Sequence, residues 1–331
     1  MGSGSESSGP REARCPHPTP LPVASRETFT SDAQRAARDV LMRTLCALVA
    51  GGDVEVAIGA FDAIVRIAEL YYDALEPYMD ALAQLTFGAA RAISAASRRT
   101  EVRLTGDHGL VLARPLGTAP RPSRSCPPQD VAVRALEFWT TVANEEAERG
   151  DENATNRKYT RRALAPLLDM LLELMTKQTE TDGDETYSIA QAASNCVGSV
   201  TCATGDAAFG HVLPVIQRWF GSADWHQRDA ATLALGVVMN GPSEAALKPV
   251  IATALPILLT KLVGPSRDPS VVVRDTTAWS IGHIFSEQYD LVDKAVFSNV
   301  VAALLAALAD EARVAANVAY VRRAVDARWG S

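Results

Sequence analysis

The stretches that decide the fold are AVRALEFW (132–139), HQRDAATLA (226–234) and VVRDTTAWS (272–280). In each stretch an Arg stands at the third position and is followed by Asp or Ala. The residues after it are mostly small or apolar. Arg228 and Arg274 are 46 residues apart, and Arg134 precedes Arg228 by 94 residues, which is about two such intervals. A period of roughly 40–47 residues containing two helices is the signature of HEAT repeats. The spacing therefore predicts an α-solenoid.

Outside these stretches, apolar residues recur every three or four positions between short breaks, as expected for amphipathic helices. Asp53, Asp224 and Ser243 are candidate N-caps, and Gly241-Pro242 and Gly264-Pro265 end the helices before them. The predicted pairs are 32–50 with 53–73, 75–97 with 128–149, 156–178 with 185–203, 206–221 with 224–240, 243–263 with 269–288, and 290–309 with 311–328.

The predicted architecture is all-α: about six antiparallel helix pairs over 32–328, stacked as a right-handed superhelix. Residues 1–31 are rich in Ser, Pro and Gly, which predicts a disordered tail. Residues 98–127 lengthen one repeat and carry several Arg, Gly and Pro residues. We expect this insertion to be disordered and to lie outside the solenoid, because Pro and Gly interrupt helices.

Composition excludes several classes of function. Hydrophobic residues make up 47% of the 331, so the chain can bury a core. The net charge of −7 argues against general nucleic-acid binding, which needs a cationic surface. The five cysteines are odd in number and lack metal-ligand spacing, so we expect reduced thiols and no metal site. Catalytic and cofactor motifs are absent too, which predicts a binding protein rather than an enzyme. No apolar run suggests a membrane span.

Four longer stretches are distinctive: VRIAELYYDALEPYM (65–79), ALEFWTTVANEE (135–146), HVLPVIQRWFGSADWHQRDAATLALGVVMNGP (211–242) and RDPSVVVRDTTAWSIGHI (267–284), with a weaker echo in EARVAANVAY (311–320). These stretches resemble the importin β (karyopherin-β) family of nuclear-import receptors. The resemblance covers about 32–97 and 128–320, and implies an internal piece of a longer array. Three segments match nothing in the family: 1–31, 98–127 and 321–331. We interpret them as translated intron sequence or as a lineage-specific extension.

Second helices line the concave surface of such a superhelix, so their acidic and aromatic residues predict a site for basic ligands. The expected cargo or adaptor residues are Glu137, Trp139, Glu145, Glu146, Asp184, Glu185, Tyr187, Asp224, Trp225 and Trp279. Tyr187 stands where the family has Trp after an acidic run. Buried packing is the competing interpretation of the Trp residues. Asp229 and Asp275, which follow Arg228 and Arg274, are expected to form structural ladders between repeats.

The resemblance also implies a convex groove between first helices for the Phe residues of FG nucleoporins. The matching positions are Val40, Leu41, Thr44, Leu82 and Leu85. The implied partners are importin α or basic nuclear-localisation cargo, FG nucleoporins, and Ran-GTP through a partial site at most. The implied location is the cytoplasm, the nucleus and the nuclear pore. A HEAT-repeat structural scaffold, such as a phosphatase regulatory subunit, is the alternative.

Overall fold

The computed structural model describes residues 31–104, 128–179 and 187–329. In that part of the chain the regular structure is helical, without strands. The helices are α1 (Asp32–Ala50), α2 (Val54–Tyr71), α3 (Met79–Leu104), α4 (Pro128–Arg149), α5 (Tyr159–Arg162), α6 (Leu164–Met175), α7 (Ile189–Thr204), α8 (Asp206–Trp219), α9 (Trp225–Val237), α10 (Glu244–Leu262), α11 (Val271–Glu287), α12 (Phe297–Ala307) and α13 (Ala312–Trp329).

The helices form antiparallel pairs that stack in two layers, as the repeat spacing predicts. The first helices are α1, α3, α6, α8, α10 and α12, and the second helices are α2, α4, α7, α9, α11 and α13. Most second helices pack closely against the next one, with a looser contact between α7 and α9, whereas successive first helices touch little. In a curved stack the more compressed layer is the inner one, so the second helices form the concave surface.

Side-chain caps fix where several helices begin. The three predicted N-caps are confirmed: Asp53 accepts a hydrogen bond from the Val56 N–H, Asp224 from the His226 N–H, and Ser243 from the Ala246 N–H. These caps satisfy backbone donors that have no partner inside the helix. The helix boundaries therefore follow from local chemistry that the sequence displays.

One glycine allows two neighbouring repeats to approach closely. Gly241, after α9, has φ of +103°, a conformation that side chains other than glycine's rarely adopt. A Cβ at this position would lie 2.3 Å from the Thr201 carbonyl oxygen near the end of α7. The turn after α9 can rest on α7 only because residue 241 has no side chain.

An ion-pair ladder joins the last three repeats, and it includes two pairs that were not expected. Arg228 on α9 makes a bidentate pair with Asp268, at 2.7 and 2.9 Å. Arg274 on α11 pairs likewise with Asp310, at 2.7 and 2.8 Å. The expected links through Asp229 and Asp275 are present as well: Arg313 and Asn317 of α13 bind Asp275, and Gln178 of the preceding repeat donates a hydrogen bond to Asp229. Asp268 and Asp310 lie in the turns between paired helices, where the Arg of the preceding second helix reaches them.

The predicted insertion begins later than expected. Helix α3 continues through 98–104, which the sequence analysis assigned to the disordered segment. The first Gly and Pro of the insertion are Gly106 and Pro115, so nothing in 98–104 breaks a helix. The remainder, 105–127, lies outside the described residues, as do 1–30, so the predictions for these segments stay predictions.

Helix α10 is long and apolar enough to cross a membrane by length and composition, and it is the one such helix in the described residues. The sequence predicts no membrane-spanning helix, since it has no long unbroken apolar run. A core helix of a globular protein passes the same test. The buried residues of α10 include Leu247, Ile251, Leu255 and Leu258, and the helix packs against α11 and α12. This packing accounts for part of its apolar character, since 33% of the apolar window is buried.

Candidate functional site

The most prominent feature of the concave surface is a pocket between four second helices. Its volume is about 410 Å³, and α7, α9, α11 and α13 line it together with residues just before α7. We call it the concave pocket and define it by Gln178, Tyr187, Gln191, Asn195, Asp229, Asp275, Trp279, Arg313 and Asn317. It combines carboxylates, amides and aromatic rings from several repeats.

Two aromatic rings stand at the pocket with part of their surface open. Trp279 on α11 is half-buried and stacks on His283, with ring centroids 4.9 Å apart. It lies against α9 at Gly236, where a Cβ would approach its ring to 2.5 Å. Tyr187 is 49% exposed, and its hydroxyl accepts a hydrogen bond of 3.1 Å from the Asn195 amide. Such rings can hold the cationic heads or aliphatic stems of Lys and Arg.

The two pocket carboxylates have different environments. Asp275 is bound by Arg313 and Asn317 of α13, at 2.8 and 2.6 Å. Asp229 is 4% exposed, and one of its oxygens accepts a hydrogen bond of 3.0 Å from Gln178. Burial raises the pKa of Asp229 to about 6. The pocket therefore holds one ion-paired carboxylate and one that lacks a directly bonded cation.

Two residues predicted to bind ligand are part of the core instead. Trp139 is 1% exposed, and its indole N–H donates to the Thr86 hydroxyl at 2.9 Å. Glu146 is 3% exposed, and accepts hydrogen bonds from the Tyr72 hydroxyl and the Tyr159 and Thr160 N–H groups. The prediction that these residues meet a ligand was wrong, because surrounding side chains and the α4–α5 loop cover them.

On the convex surface, the exposed apolar residues cluster on α1. Val40 is 57% and Leu41 50% exposed, and Thr44 is exposed with its hydroxyl bonded to the Val40 carbonyl. Leu41 also borders an apolar cleft of about 290 Å³ between α1 and the end of α2. Leu82 on α3 is fully buried, so its assignment to the groove was wrong: it packs into the core instead. Leu85 is half-buried.

Comparison with known proteins identifies the family. Importin subunit beta-1 of Schizosaccharomyces pombe is 31% identical over 305 residues, covering 88% of this chain. A crystal structure of importin beta superposes with a TM-score of 0.70 at 27% identity, over 92% of this chain. The chain belongs to the importin β family. A Kap95:Nup1 complex also matches this importin β chain, with a TM-score of 0.69, 25% identity and 87% coverage. No family model matches.

The chain spans about a third of the length of the relatives that it matches. The alignment covers 31% of the fission-yeast protein, 32% of the importin beta crystal-structure chain and 30% of the Kap95 complex chain. The HEAT-repeat fold predicted from the repeat spacing is confirmed by these neighbours. The shared region is the helical array, so the roles of individual surface residues rest on the geometry described above.

The remaining residues that were predicted to line the concave surface differ in their burial and in their partners. Glu137 is half-buried and pairs with Arg134 at 2.7 Å. Glu145 is mostly buried, with 11% of its side chain exposed, and pairs with Arg149. Asp224 caps α9, and Trp225 stacks on His226 with ring centroids 3.8 Å apart. Asp184 and Glu185 lie outside the described residues. Of the predicted set, Tyr187 and Trp279 come together in the concave pocket.

Sequence reasoning missed most of the pocket's polar lining. Gln178, Asn195 and Asn317 were not singled out, and Asp229 was assigned a structural role. Amides at isolated positions carry no motif, and only the stacking of α7, α9, α11 and α13 brings them together. One signal was available: Asp229 and Asp275 recur 46 residues apart, at equivalent positions of successive second helices.

Proposed function

We propose that this chain is part of a nuclear transport receptor that binds a basic peptide segment on its concave surface. The segment belongs to a nuclear-localisation cargo or to the adaptor importin α. The observation that carries the proposal is the concave pocket, which presents Trp279 and Tyr187 beside Asp229 and Asp275. The pocket is a binding surface, so the proposed activity is association rather than catalysis.

The chemistry of the pocket suits an extended chain of Lys and Arg residues. The exposed parts of the Trp279 and Tyr187 rings can contact aliphatic stems, and the cationic heads would then lie near the carboxylates. An individual exposed ion pair contributes only about 0–1 kcal/mol, so affinity depends on several contacts acting together. Salt screens such contacts over about 8–10 Å, which makes the binding sensitive to ionic strength.

Two further partners follow from family membership. FG nucleoporins would insert Phe side chains at the exposed apolar surface of α1, where Val40 and Leu41 project. The match to a Kap95:Nup1 complex supports this assignment. Ran-GTP would release the bound segment, with a partial site at most on this part of the array. A receptor with these partners works in the cytoplasm, the nucleus and the nuclear pore.

The test is the affinity of the chain for a fluorescein-labelled peptide in which Lys and Arg alternate with Gly and Ser. We expect Kd to rise steeply with salt, and Trp279→Ala to weaken binding about tenfold or more, since a central Trp contributes about 2 kcal/mol at interfaces. Leu305→Ala on α12 is the control: Leu305 is 46% exposed on a first helix, away from the pocket, and its loss should leave Kd unchanged.

The scaffold alternative gives a different result. A structural HEAT array without a basic-segment site would bind the labelled peptide no better than a version with its cations replaced by Gln. Salt-independent binding, or equal effects of Trp279→Ala and Leu305→Ala, would also contradict the proposal.

A further inference from the structure

The apolar cleft between α1 and the end of α2, which we call the α1 cleft, is open to a further chain segment. One wall belongs to α1, and the other belongs to α2 and the short helical turns that follow it. Its lining is mostly apolar or aromatic and includes Ala37, Leu41, Met42, Ile67, Tyr71 and Tyr78. Leu41 is 50% and Tyr71 37% exposed, so the described residues leave the cleft open. Exposed apolar surface of this kind marks a place where another segment docks.

Two tyrosines belong to the wall formed by α2 and the turns after it. Tyr78 is half-buried, and its hydroxyl accepts a hydrogen bond of 2.9 Å from Arg38 Nε and donates one to Asp39. The Arg38 guanidinium also lies 5.7 Å from the centre of the Tyr78 ring. Tyr71 is the more open of the two rings and faces the same cleft as Leu41. The cleft is therefore a preformed groove with aromatic rings on one side and an aliphatic side chain on the other.

The chain carries a segment of matching chemistry just before α1. In CPHPTPLPV (15–23), prolines occupy every second position from 16 to 22. This segment lies outside the described residues, and its chemistry is read from the sequence. Pro fixes φ near −65° and biases the residue before it towards extended conformations, so alternating prolines favour polyproline II. Grooves lined by aromatic rings are the usual receptors for such segments, which lose little entropy on binding.

The linker between this segment and α1 has a suitable length. Residues 23–30 separate Pro22 from Ser31, the N-cap of α1. A flexible chain of this length has a root-mean-square span of about 15 Å. The cleft residues of α1 run from Gln34 to Met42, which is about 5–16 Å along the helix from Ser31. A tethered segment whose span matches the distance reaches an effective concentration in the mM range, so even weak docking is populated.

We propose that the α1 cleft receives the proline-rich segment 16–22 of the same chain. The Pro rings and Leu21 would pack against Tyr71 and Leu41 and cover their exposed surface. The segment contains no Asp, Glu, Lys or Arg, which suits a cleft whose cation, Arg38, is already paired with Asp39 at 2.8 Å.

Docking of this segment has a consequence for ligands of α1. Leu41 also belongs to the surface proposed for FG nucleoporins, so a docked segment would compete with them for α1. That consequence rests on the proposed function, whereas the docking itself does not.

Photo-crosslinking in the full chain tests the docking. In the variant Tyr71→p-benzoylphenylalanine, we expect mass spectrometry to place the main crosslink within 15–23. The matched control is Leu305→p-benzoylphenylalanine, since Leu305 is 46% exposed on α12, at the other end of the array. The control should give no crosslink enriched in that segment. Circular dichroism verifies that both variants are folded.

Substitutions in the segment test whether its prolines matter. Pro18→Gly, Pro20→Gly and Pro22→Gly together should lower the crosslink yield from position 71 at least about threefold, because each Pro limits the conformations of the free segment. Pro10→Gly, which lies outside the alternating run, should leave the yield unchanged. These positions precede the helical array, so the substitutions do not alter its core.

Mixing isotopically light and heavy chains before irradiation distinguishes the occupants of the cleft. Crosslinks within one chain support the proposal, whereas crosslinks between light and heavy chains would assign the cleft to a second copy and overturn it. Scattered crosslinks, or a yield that the three Gly substitutions leave unchanged, would overturn it as well. No transport ligand is present in this experiment, so its failure leaves the proposed function standing.

Discussion

Replacing Glu146 with Lys should destabilise the chain by about 5 kcal/mol. Three buried donors would lose the carboxylate that accepts their hydrogen bonds, and a cation would be buried in its place. The donors are the Tyr72 hydroxyl and the Tyr159 and Thr160 N–H groups, and Glu146 is 3% exposed. For a chain of this size the melting temperature should fall by about 7 °C. Thermal unfolding followed by circular dichroism measures the effect.

The matched control is Glu148→Lys, two residues further along α4. Glu148 is exposed, so the same reversal of charge should change stability by no more than about 1 kcal/mol. Equal melting temperatures for Glu146→Lys and the wild type would show that Glu146 lies at the surface, contrary to the structure. The comparison also shows why reversing Glu146 cannot serve as a test of ligand binding: its effect would be on folding.

Replacing Asp310 with Ala should have the second-largest effect. The side chains of Arg274 and Asp310 are each 5% exposed, so the substitution leaves a buried guanidinium without its main partner. Breaking such a pair typically costs about 3–5 kcal/mol. We expect a fall in melting temperature of about 4–7 °C at neutral pH. Arg274 hydrogen bonds lower the pKa of Asp310, so the wild-type advantage is present at neutral pH and disappears as pH falls through that pKa.

Asp151→Ala provides the control for the ladder. Asp151 pairs with Lys158 and Arg161, and all three side chains are between 41% and 55% exposed. Exposed pairs contribute about 0–1 kcal/mol, so this variant should melt close to the wild type. If Asp310→Ala and Asp151→Ala have the same small effect, the buried ladder does not stabilise the last repeats.

The helical array could be predicted from sequence because its signals are local and periodic. Asp53, Asp224 and Ser243 mark helix starts by their own side-chain chemistry, and each is an N-cap in the structure. The interval between Arg228 and Arg274 reports the repeat length directly. The end of α3 was predicted too early, because the Gly and Pro content was judged over the whole of 98–127. The first residues of that range contain no helix breaker.

Burial on the concave surface was harder to predict, since it depends on tertiary contacts. Glu145 and Glu146 are adjacent acidic residues, but the fold of the α4–α5 loop encloses Glu146 almost completely. Trp139 and Trp279 occur on equivalent helices, yet only Trp279 borders an open pocket. The structural role of Asp229 and Asp275 between repeats was predicted from their recurrence, but the pairs of Arg228 and Arg274 were not. Their partners, Asp268 and Asp310, lie 36 to 40 residues away from those Arg residues.

The most direct test of the central claim is where a bound basic peptide protects the backbone. Hydrogen–deuterium exchange of the full chain, with and without saturating peptide, locates the contact surface. The account predicts slower exchange around Tyr187 and in the second helices α7, α9, α11 and α13, with α8, α10 and α12 unchanged. Protection confined to the first helices, or no protection at saturation, would contradict a ligand site on the concave surface.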